Sequence, residues 1–386
     1  MNRTTRAREQ SSVLIVAPVA PPYGGMASQA LLLKRMLEDD GIPADILSQN
    51  QPFAQPFRIF ERVPVLRALL RTGIFCVRMW RRCRTIQVVH ILAASWLHFF
   101  LVVCPAILIG RLRGRRVILN YRGGLAGEFL ERCAWLARPW FQMADMVTTP
   151  SEFLARIIRA HAKVPISIVP NIVDFSNFRY RERSSFQPRM LVTRHLEKMY
   201  DVEMLLRAFK EIQASYPAAS LWIAGSGSEE GRLRALAAEW KLSGVRFLGY
   251  VDRQKLPAIY NECDILLNAS RVDNFPGSLL DASAAGLAVV STNAGGIPFI
   301  YTDGENALLV EIGDWRGLAA AVSRLLQDEP LAHALATAGH RLCRQCDWQN
   351  IRRSLYESYG FVPPFKQEGN SDDRRVTYSR AVKEQV

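Results

Sequence analysis

The first apolar run, Val13-Leu-Ile-Val-Ala17, is continuous rather than alternating. Such a run reads as a strand buried on both faces of a parallel sheet. A Pro/Gly loop follows from Pro18 to Gly25, and then a helical spacing through Leu31, Leu32, Leu33 and Met36. Strand-like runs recur at Val88–Leu92, Arg116–Asn120 and Met146–Thr149, each with a helical stretch behind it, and Ile168–Val173 closes this half. Residues 175–189 are polar and Arg-rich and read as a linker. A second alternation then runs through Met190–Thr193, Leu221–Ala224, Val245–Leu248, Ile265–Asn268, Ala288–Ser291 and Ala307–Val310. Strands alternating with helices predict parallel sheets covered on both faces, with ligands beyond the carboxyl ends of the strands.

The expected architecture is therefore α/β, with two Rossmann-like domains facing a central cleft. The boundaries are 12–174 and 190–345, with the linker between them and a C-terminal helix at 346–363. Residues 315–328 and 331–360 carry helical patterns. The polar ends, 1–11 and 364–386, are expected to be disordered. The segment Ile91–Gly110 holds no Lys, Arg, Asp or Glu over twenty residues. It is long enough for a membrane span. A strand end followed by a helix inside the α/β layer is preferred, because both flanks continue the alternation.

Charge separates the halves. Residues 1–174 hold 23 Lys+Arg against 11 Asp+Glu, whereas residues 175–386 hold 26 against 25, so nearly all of the net +13 lies in the first half. That half should favour an anionic partner. Between Arg58 and Arg84 stand eight arginines and one acid, Glu61. Leu66, Leu70, Ile74, Val77 and Trp80 fall at helical spacing, with Arg67, Arg71, Arg78 and Arg82 beside them. A basic amphipathic helix of this kind either lies in an anionic membrane interface or packs its stripe on its own domain. Arg111, Arg113, Arg115 and Arg116 add to the field. Nucleic acid is not an expected partner, since no helix-turn-helix, finger or RNA-binding signature is present. Seven cysteines without framework spacing fit reduced thiols in a cytoplasmic protein, and Cys343-x-x-Cys346 has no second ligand pair to make a metal site. No signal peptide is evident in the first residues.

The chemistry concentrates in Ser270–Pro298. A strand ends near Asn268, a turn rich in Asn, Pro and Gly follows, and a helix starts near Ser278. A helix N-terminus is a ready anion site. Asp273 stands in the turn and Asp281 eight positions on, inside the helix. Two carboxylates so placed can accept from vicinal sugar hydroxyls, or can simply complement the helix dipole. Arg194 and Lys198 follow a strand and are spaced to straddle a diphosphate. Gly225-Ser-Gly227 and Gly24-Gly25 each follow a strand, where glycine permits close backbone approach to a ligand or merely a tight turn. Arg122 follows the strand Arg116–Asn120. His90 lies within an apolar strand and reads as a satisfied core residue.

The Asp273–Asp281 stretch, with Ala282-Ser-Ala-Ala-Gly-Leu-Ala-Val-Val290 and Gly295-Gly-Ile-Pro298, resembles the donor motif of retaining GT-B glycosyltransferases of family 4. Both acids are one methylene shorter than the family's usual Glu. The Arg194–Lys198 stretch is similar to the family's Arg/Lys segment. The resemblance implies sugar transfer from a nucleotide-sugar donor to a glycan or lipid-linked acceptor, with retention and without metal or other cofactor. It assigns Arg194 and Lys198 to the diphosphate, Asp281 to the ribose, and Asp273 with Asn274, Phe275, Pro276 and Gly277 to the sugar. Gly225 would lie near the nucleotide, and Gly24, Gly25 and Arg122 would face them across the cleft. Relatives often carry His where this chain has Arg122. Arginine cannot act as a base near neutral pH but can bind phosphate or sugar hydroxyls. A cytoplasmic location, peripheral on the inner face of the membrane, follows. The alternatives are a non-catalytic GT-B binding subunit and a GT-B nucleotide-sugar epimerase.

Overall fold

The computed structural model describes residues 12–19, 24–49 and 64–361. Arg58 and Glu61 of the basic stretch, Pro21–Tyr23 of the first loop and the C-terminal tail lie outside them. The chain divides into two compact units, one running to Ile172 and resuming at Trp348, the other spanning Val173–Asp347.

The first unit carries β1 (Val13–Ala17), α1 (Gly25–Asp39), β2 (Ala44–Ser48), α2 (Pro64–Arg82), β3 (Val88–Ala93), α3 (Cys104–Leu112), β4 (Arg116–Tyr121), α4 (Ala126–Met143), β5 (Met146–Thr149), α5 (Glu152–His161) and β6 (Ile166–Ile168). Its strands pair in parallel in the order β2-β1-β3-β4-β5-β6. The continuous apolar runs make sense in this setting, since side chains of both strand faces are buried. Leu14, Val89 and Val117 pack with Phe75 of α2, Ile107 of α3, Phe129 of α4 and Ile158 of α5. On the opposite face Ile15, Val88 and Ile118 pack with Leu33 and Leu37 of α1. There they also meet Trp348, Ile351 and Leu355 of the last helix, α12 (Trp348–Tyr359).

The apolar segment Ile91–Gly110 is divided between the end of β3, a π-helical turn at Phe99–Val103 and most of α3. Phe99 is fully buried, stacked on Phe141 with ring centroids 5.6 Å apart. Among the described residues no helix is long and apolar enough to cross a membrane. Helix α2 forms where the spacing predicts it, but its buried side is different. Phe75, Met79 and Cys83 face the core, whereas Ile74, Val77 and Trp80 are 42%, 53% and 40% exposed. The helix has a second apolar face, and the stripe beside the arginines is the one left outside.

The second unit carries β7 (Arg189–Thr193), α6 (Val202–Ser215), β8 (Ser220–Ala224), α7 (Glu230–Glu239), β9 (Val245–Gly249), α8 (Leu256–Glu262), β10 (Ile265–Asn268), α9 (Gly277–Ala284), β11 (Ala288–Thr292), β12 (Leu308–Val310), α10 (Trp315–Gln327) and α11 (Glu329–Cys343). The parallel order is β12-β11-β10-β7-β8-β9. Strand order reverses between β7 and β10, which in a doubly wound sheet marks the place where a ligand crevice opens. The helical pattern over 331–360 is not one helix. It breaks at a 3₁₀ turn, Arg344–Cys346, and an extended Asp347 before α12 begins. Cys343 and Cys346 are both buried in the core, and burial raises the Cys343 thiol far above its ordinary range, which leaves it unreactive.

Residues 175–189, the expected linker, fall within the second unit and are tied to its sheet. Arg183 is only 4% exposed and donates to Asp264 Oδ1 at 3.0 Å and to the carbonyls of Cys263 and Ala285 at 2.7 and 3.0 Å. Arg181 and Arg189 complete the cage around Asp264 at 3.0 and 2.8 Å. Burial, and then the neighbouring Arg181, lower the Arg183 guanidinium to about 10, against the pull of Asp264. The Arg-rich composition is thus the counter-charge of one fully buried acid. Asp264→Asn strips that charge from three arginines and is expected to cost about 3–5 kcal/mol, read as a lowered denaturant midpoint. A midpoint unchanged from wild type would mean that the cage does not hold the segment.

Candidate active site

Arg194 leaves the carboxyl end of β7 and turns toward the end of β10. Its Nε donates to Asn268 Oδ1 at 3.0 Å and its Nη2 to Asp273 Oδ2 at 2.5 Å. The Tyr200 ring lies against the guanidinium, 5.2 Å from centroid to Cζ. Both charged side chains are largely buried, so their attraction is screened less than in a surface salt bridge and removing either partner is costly. Asn268 is itself fixed. Its Nδ2 donates to Ser291 Oγ of β11 at 2.9 Å, and Ser270 Oγ donates to its Oδ1 at 2.8 Å. The ends of β7, β10 and β11 are thereby laced through one amide, at the reversal of strand order.

Two glycines bring the loops close enough for this. A Cβ on Gly225 would lie 1.8 Å from the carbonyl oxygen of Arg194. A Cβ on Gly296 would lie 2.1 Å from the carbonyl oxygen of Asn274. Both contacts are closer than any side chain tolerates. Gly225 therefore acts on Arg194 through its backbone, and Gly296 donates its N–H to the Asp273 carbonyl at 2.7 Å. Lys198 opens the 3₁₀ turn Lys198–Tyr200 and is exposed, on the loop that carries Tyr200 back to Arg194.

Helix α9 begins at Gly277 behind Pro276, close to the predicted start. Asn274 and Phe275 are buried, and Phe275 packs in the core with Leu279 and Leu280. Asp281, in the second turn, is 6% exposed and faces Arg253 Nη1 at 3.5 Å. Burial pushes its carboxyl upward; Arg253 opposes this and the nearby Asp174 adds to it. In the first unit Gly24 caps α1 in an extended conformation and Gly25 is its first residue, both with open space where a Cβ would stand. Arg122, just past β4, donates from Nε to Asn120 Oδ1 at 3.1 Å and from Nη2 to Asn171 Oδ1. Burial lowers its guanidinium to about 10, which still leaves it cationic near neutral pH. His90 is buried, with Asn120 Nδ2 at 3.0 Å from Nε2 and the Tyr359 hydroxyl at 2.8 Å from Nδ1, as a satisfied core residue should be.

Residues 23–177 match the model of Glycosyltransferase Family 4, and residues 177–342 match that of Glycosyl transferases group 1. The chain belongs to the group 1 glycosyltransferases. The glycogen synthase of Mycobacterium tuberculosis is 28% identical over 201 residues, 50% of this chain and 48% of that protein. The lipopolysaccharide core biosynthesis glycosyltransferase LpsE of Rhizobium meliloti is 37% identical over 133 residues, 34% of this chain and 38% of that protein. The matched region thus spans about half, or less, of each relative's length. Among solved structures, Anabaena HepE in complex with UDP and glucose is 16% identical with a TM-score of 0.69, covering 91% of this chain and 99% of that one. The likeness is one of fold, and it identifies the two doubly wound sheets as the GT-B architecture.

In this group 1 glycosyltransferase the structure gathers Arg194, Asp273, Asn274 and Gly225 into one cluster, and sets Asp281 on α9 beside Arg253. Gly24, Gly25 and Arg122 belong to the first unit. The sequence reading missed Asn268, Tyr200 and Arg253. A polar residue closing an apolar strand was the one available signal for Asn268; nothing local marked Arg253, which meets Asp281 only through the fold. Gly225→Ala is expected to destabilise the chain by about 1–3 kcal/mol by forcing the Arg194 loop away. Gly231→Ala, in α7 with nothing within 4 Å of the new methyl, should instead stabilise by about 0.5–1 kcal/mol. Equal effects in urea unfolding of the two variants would contradict the close-approach account.

Proposed function

We propose that this group 1 glycosyltransferase moves a sugar from a nucleotide-sugar donor to a glycan or lipid-linked acceptor, with retention of configuration. The observation that carries the reading is the Arg194 guanidinium, held by Asn268 and Asp273 where the strand order of the second sheet reverses. An arginine fixed by neutral and acidic acceptors at strand ends is preorganised for a diphosphate. Lys198, exposed on the same loop, adds a second positive charge.

The remaining roles follow the motif. Asp281 accepts from the ribose hydroxyls. Asp273, with the turn Asn274–Gly277, meets the sugar, and the N-terminus of α9 offers free N–H groups there. Gly24, Gly25 and Arg122 of the first unit serve the donor phosphate, sugar and acceptor. The bond from the anomeric carbon to the phosphate oxygen breaks, and a bond to the acceptor oxygen forms on the same face. The acceptor's hydroxyl proton passes to the departing phosphate oxygen, so no histidine is needed at the position of Arg122. Arg194 and Lys198 neutralise the departing diphosphate, and the scheme requires neither metal nor cofactor. The solved HepE complex with UDP and glucose supports a uridine nucleotide as the first donor to try.

Nucleotide release is the test. A UDP-, GDP- or dTDP-sugar that binds should raise the melting temperature by mass action and release nucleoside diphosphate in the presence of acceptor. Arg194→Ala should lower the release about 10²–10³-fold. Full activity in that variant would refute the site assignment.

The acceptor side is proposed to work against an anionic membrane surface. Leu69, Ile74, Val77 and Trp80 on α2 are exposed, as are Leu108 and Leu112 on α3. Arg113 at the end of α3 lies over the Trp80 ring at 4.7 Å, joining the two helices into one apolar and cationic face. Arg81 and Arg82 stand in the last turn of α2 with Arg84 just beyond it, and Arg111 stands in the last turn of α3, Arg82 and Arg111 being ion-paired with Asp45 and Asp145. Aromatic and aliphatic side chains among arginines suit the headgroup boundary of an anionic bilayer. The chain should sediment with phosphatidylglycerol vesicles and not with phosphatidylcholine vesicles, and high salt should weaken the binding. Equal recovery with both vesicles, or with neither, would rule this face out as an anionic-lipid site.

A further inference from the structure

Helix α12 follows the second unit in sequence but packs in the first. Asp40, just past α1, accepts from Trp348 Nε1 at 2.9 Å, from the Tyr356 hydroxyl at 2.6 Å and from Arg352 Nη1 at 3.3 Å. At the other end of the helix Arg116 Nε donates to the Ser358 carbonyl at 2.8 Å. Next to the second anchor, at its last residue, α12 inserts Tyr359, fully buried, against the imidazole of His90, their rings edge to face at 5.6 Å.

We infer that α12 orients Arg122 through the buried hydrogen-bond chain Tyr359–His90–Asn120, so that Tyr359 and His90 are positioning residues for sugar transfer. The inference rests on the reading of Arg122 as a site residue.

The direction of the chain is fixed by chemistry at one end. Arginine has no acceptor, so Asn120 must present Oδ1 to Arg122 Nε and therefore Nδ2 to His90. His90 Nε2 then accepts, and Nδ1 carries the proton and donates to the Tyr359 hydroxyl. No other arrangement satisfies every contact. A neutral imidazole is required, and burial together with the charge of Arg122 lowers His90 to about 3. Asn171 Oδ1 accepts from Nη2 on the other side, so the guanidinium is fixed at two of its nitrogens. The cavity that His90, Asn120, Arg122 and Trp348 help to line is about 20 Å³, room for about one water. That is far too small for a sugar or a nucleotide. No substrate therefore fits among these side chains, and the cluster's hydrogen bonds run to Arg122 instead.

Two readouts test this in the full chain. In two-bond proton–nitrogen NMR, His90 should appear as the neutral Nδ1–H tautomer throughout pH 5–8. An Nε2–H tautomer, or titration inside that range, would overturn the assigned chain. In kinetics, Tyr359→Phe should lower kcat roughly five-fold with little change in donor KM, read as nucleoside-diphosphate release from a panel of UDP-, GDP- and dTDP-sugars. That loss should vanish when Arg122 is already Gln, since the two act as one unit. Asp40→Asn weakens the other anchors of the same helix but keeps every hydrogen bond of the chain, so it should lower kcat clearly less than Tyr359→Phe does. Equal losses in Tyr359→Phe and Asp40→Asn would overturn the inference, because they would report only a loosened helix. Wild-type turnover in Tyr359→Phe beside an impaired Arg122→Gln would overturn the chain alone. Full turnover in Arg122→Gln beside an inactive Arg194→Ala would overturn the reading of Arg122 and the inference with it, while leaving the donor site intact.

Discussion

The contact on which the candidate site depends is the hold of Asn268 and Asp273 on Arg194. A guanidinium this far from solvent needs acceptors at fixed positions, and both come from the end of β10 and the turn behind it. Asn268 is in turn held by Ser291 of β11. A neutral amide and an acid share the cation, and the acid balances its charge. Glycines at 225 and 296 let the loops lie close enough for these bonds. Remove the glycines and the strand ends remain, but Arg194 loses its place.

The same economy of charge explains the rest of the second unit. Its near-neutral balance includes a fully buried acid, Asp264, caged by three arginines. A buried pair of this kind contributes little net stability against an apolar alternative, yet breaking it is costly. Its consequence here is to bind residues 181–189 to the sheet that carries Arg194. In the first unit the excess positive charge is instead displayed beside exposed leucines and tryptophan on α2 and α3.

Much of the fold could be read from the chain because fully buried parallel strands need continuous apolar runs. Val13–Ala17 is one such run and is a strand along its whole length. The turn after Asn268 and the helix start near Ser278 were equally legible, since Asn, Pro and Gly punctuate them. What could not be read depends on contacts distant in sequence. Arg183 reads as one more arginine of a polar linker until Asp264, 81 positions on, is placed beside it. The stripe Ile74–Val77–Trp80 has the spacing of a buried face, but Phe75 and Met79 offer a second one and the sheet takes that instead. The return of α12 to the first unit is carried by Asp40, over 300 residues earlier in the chain, and periodicity holds no trace of it.

A crystal structure of the chain with a bound nucleoside diphosphate, UDP first, is the most direct measurement of where the donor sits. The account predicts the diphosphate beyond the carboxyl ends of β7 and β10, with a phosphate oxygen within hydrogen-bond reach of Arg194 and the ribose hydroxyls on Asp281. A nucleotide bound elsewhere, with Arg194 still closed on Asp273 and touching no phosphate, would contradict it.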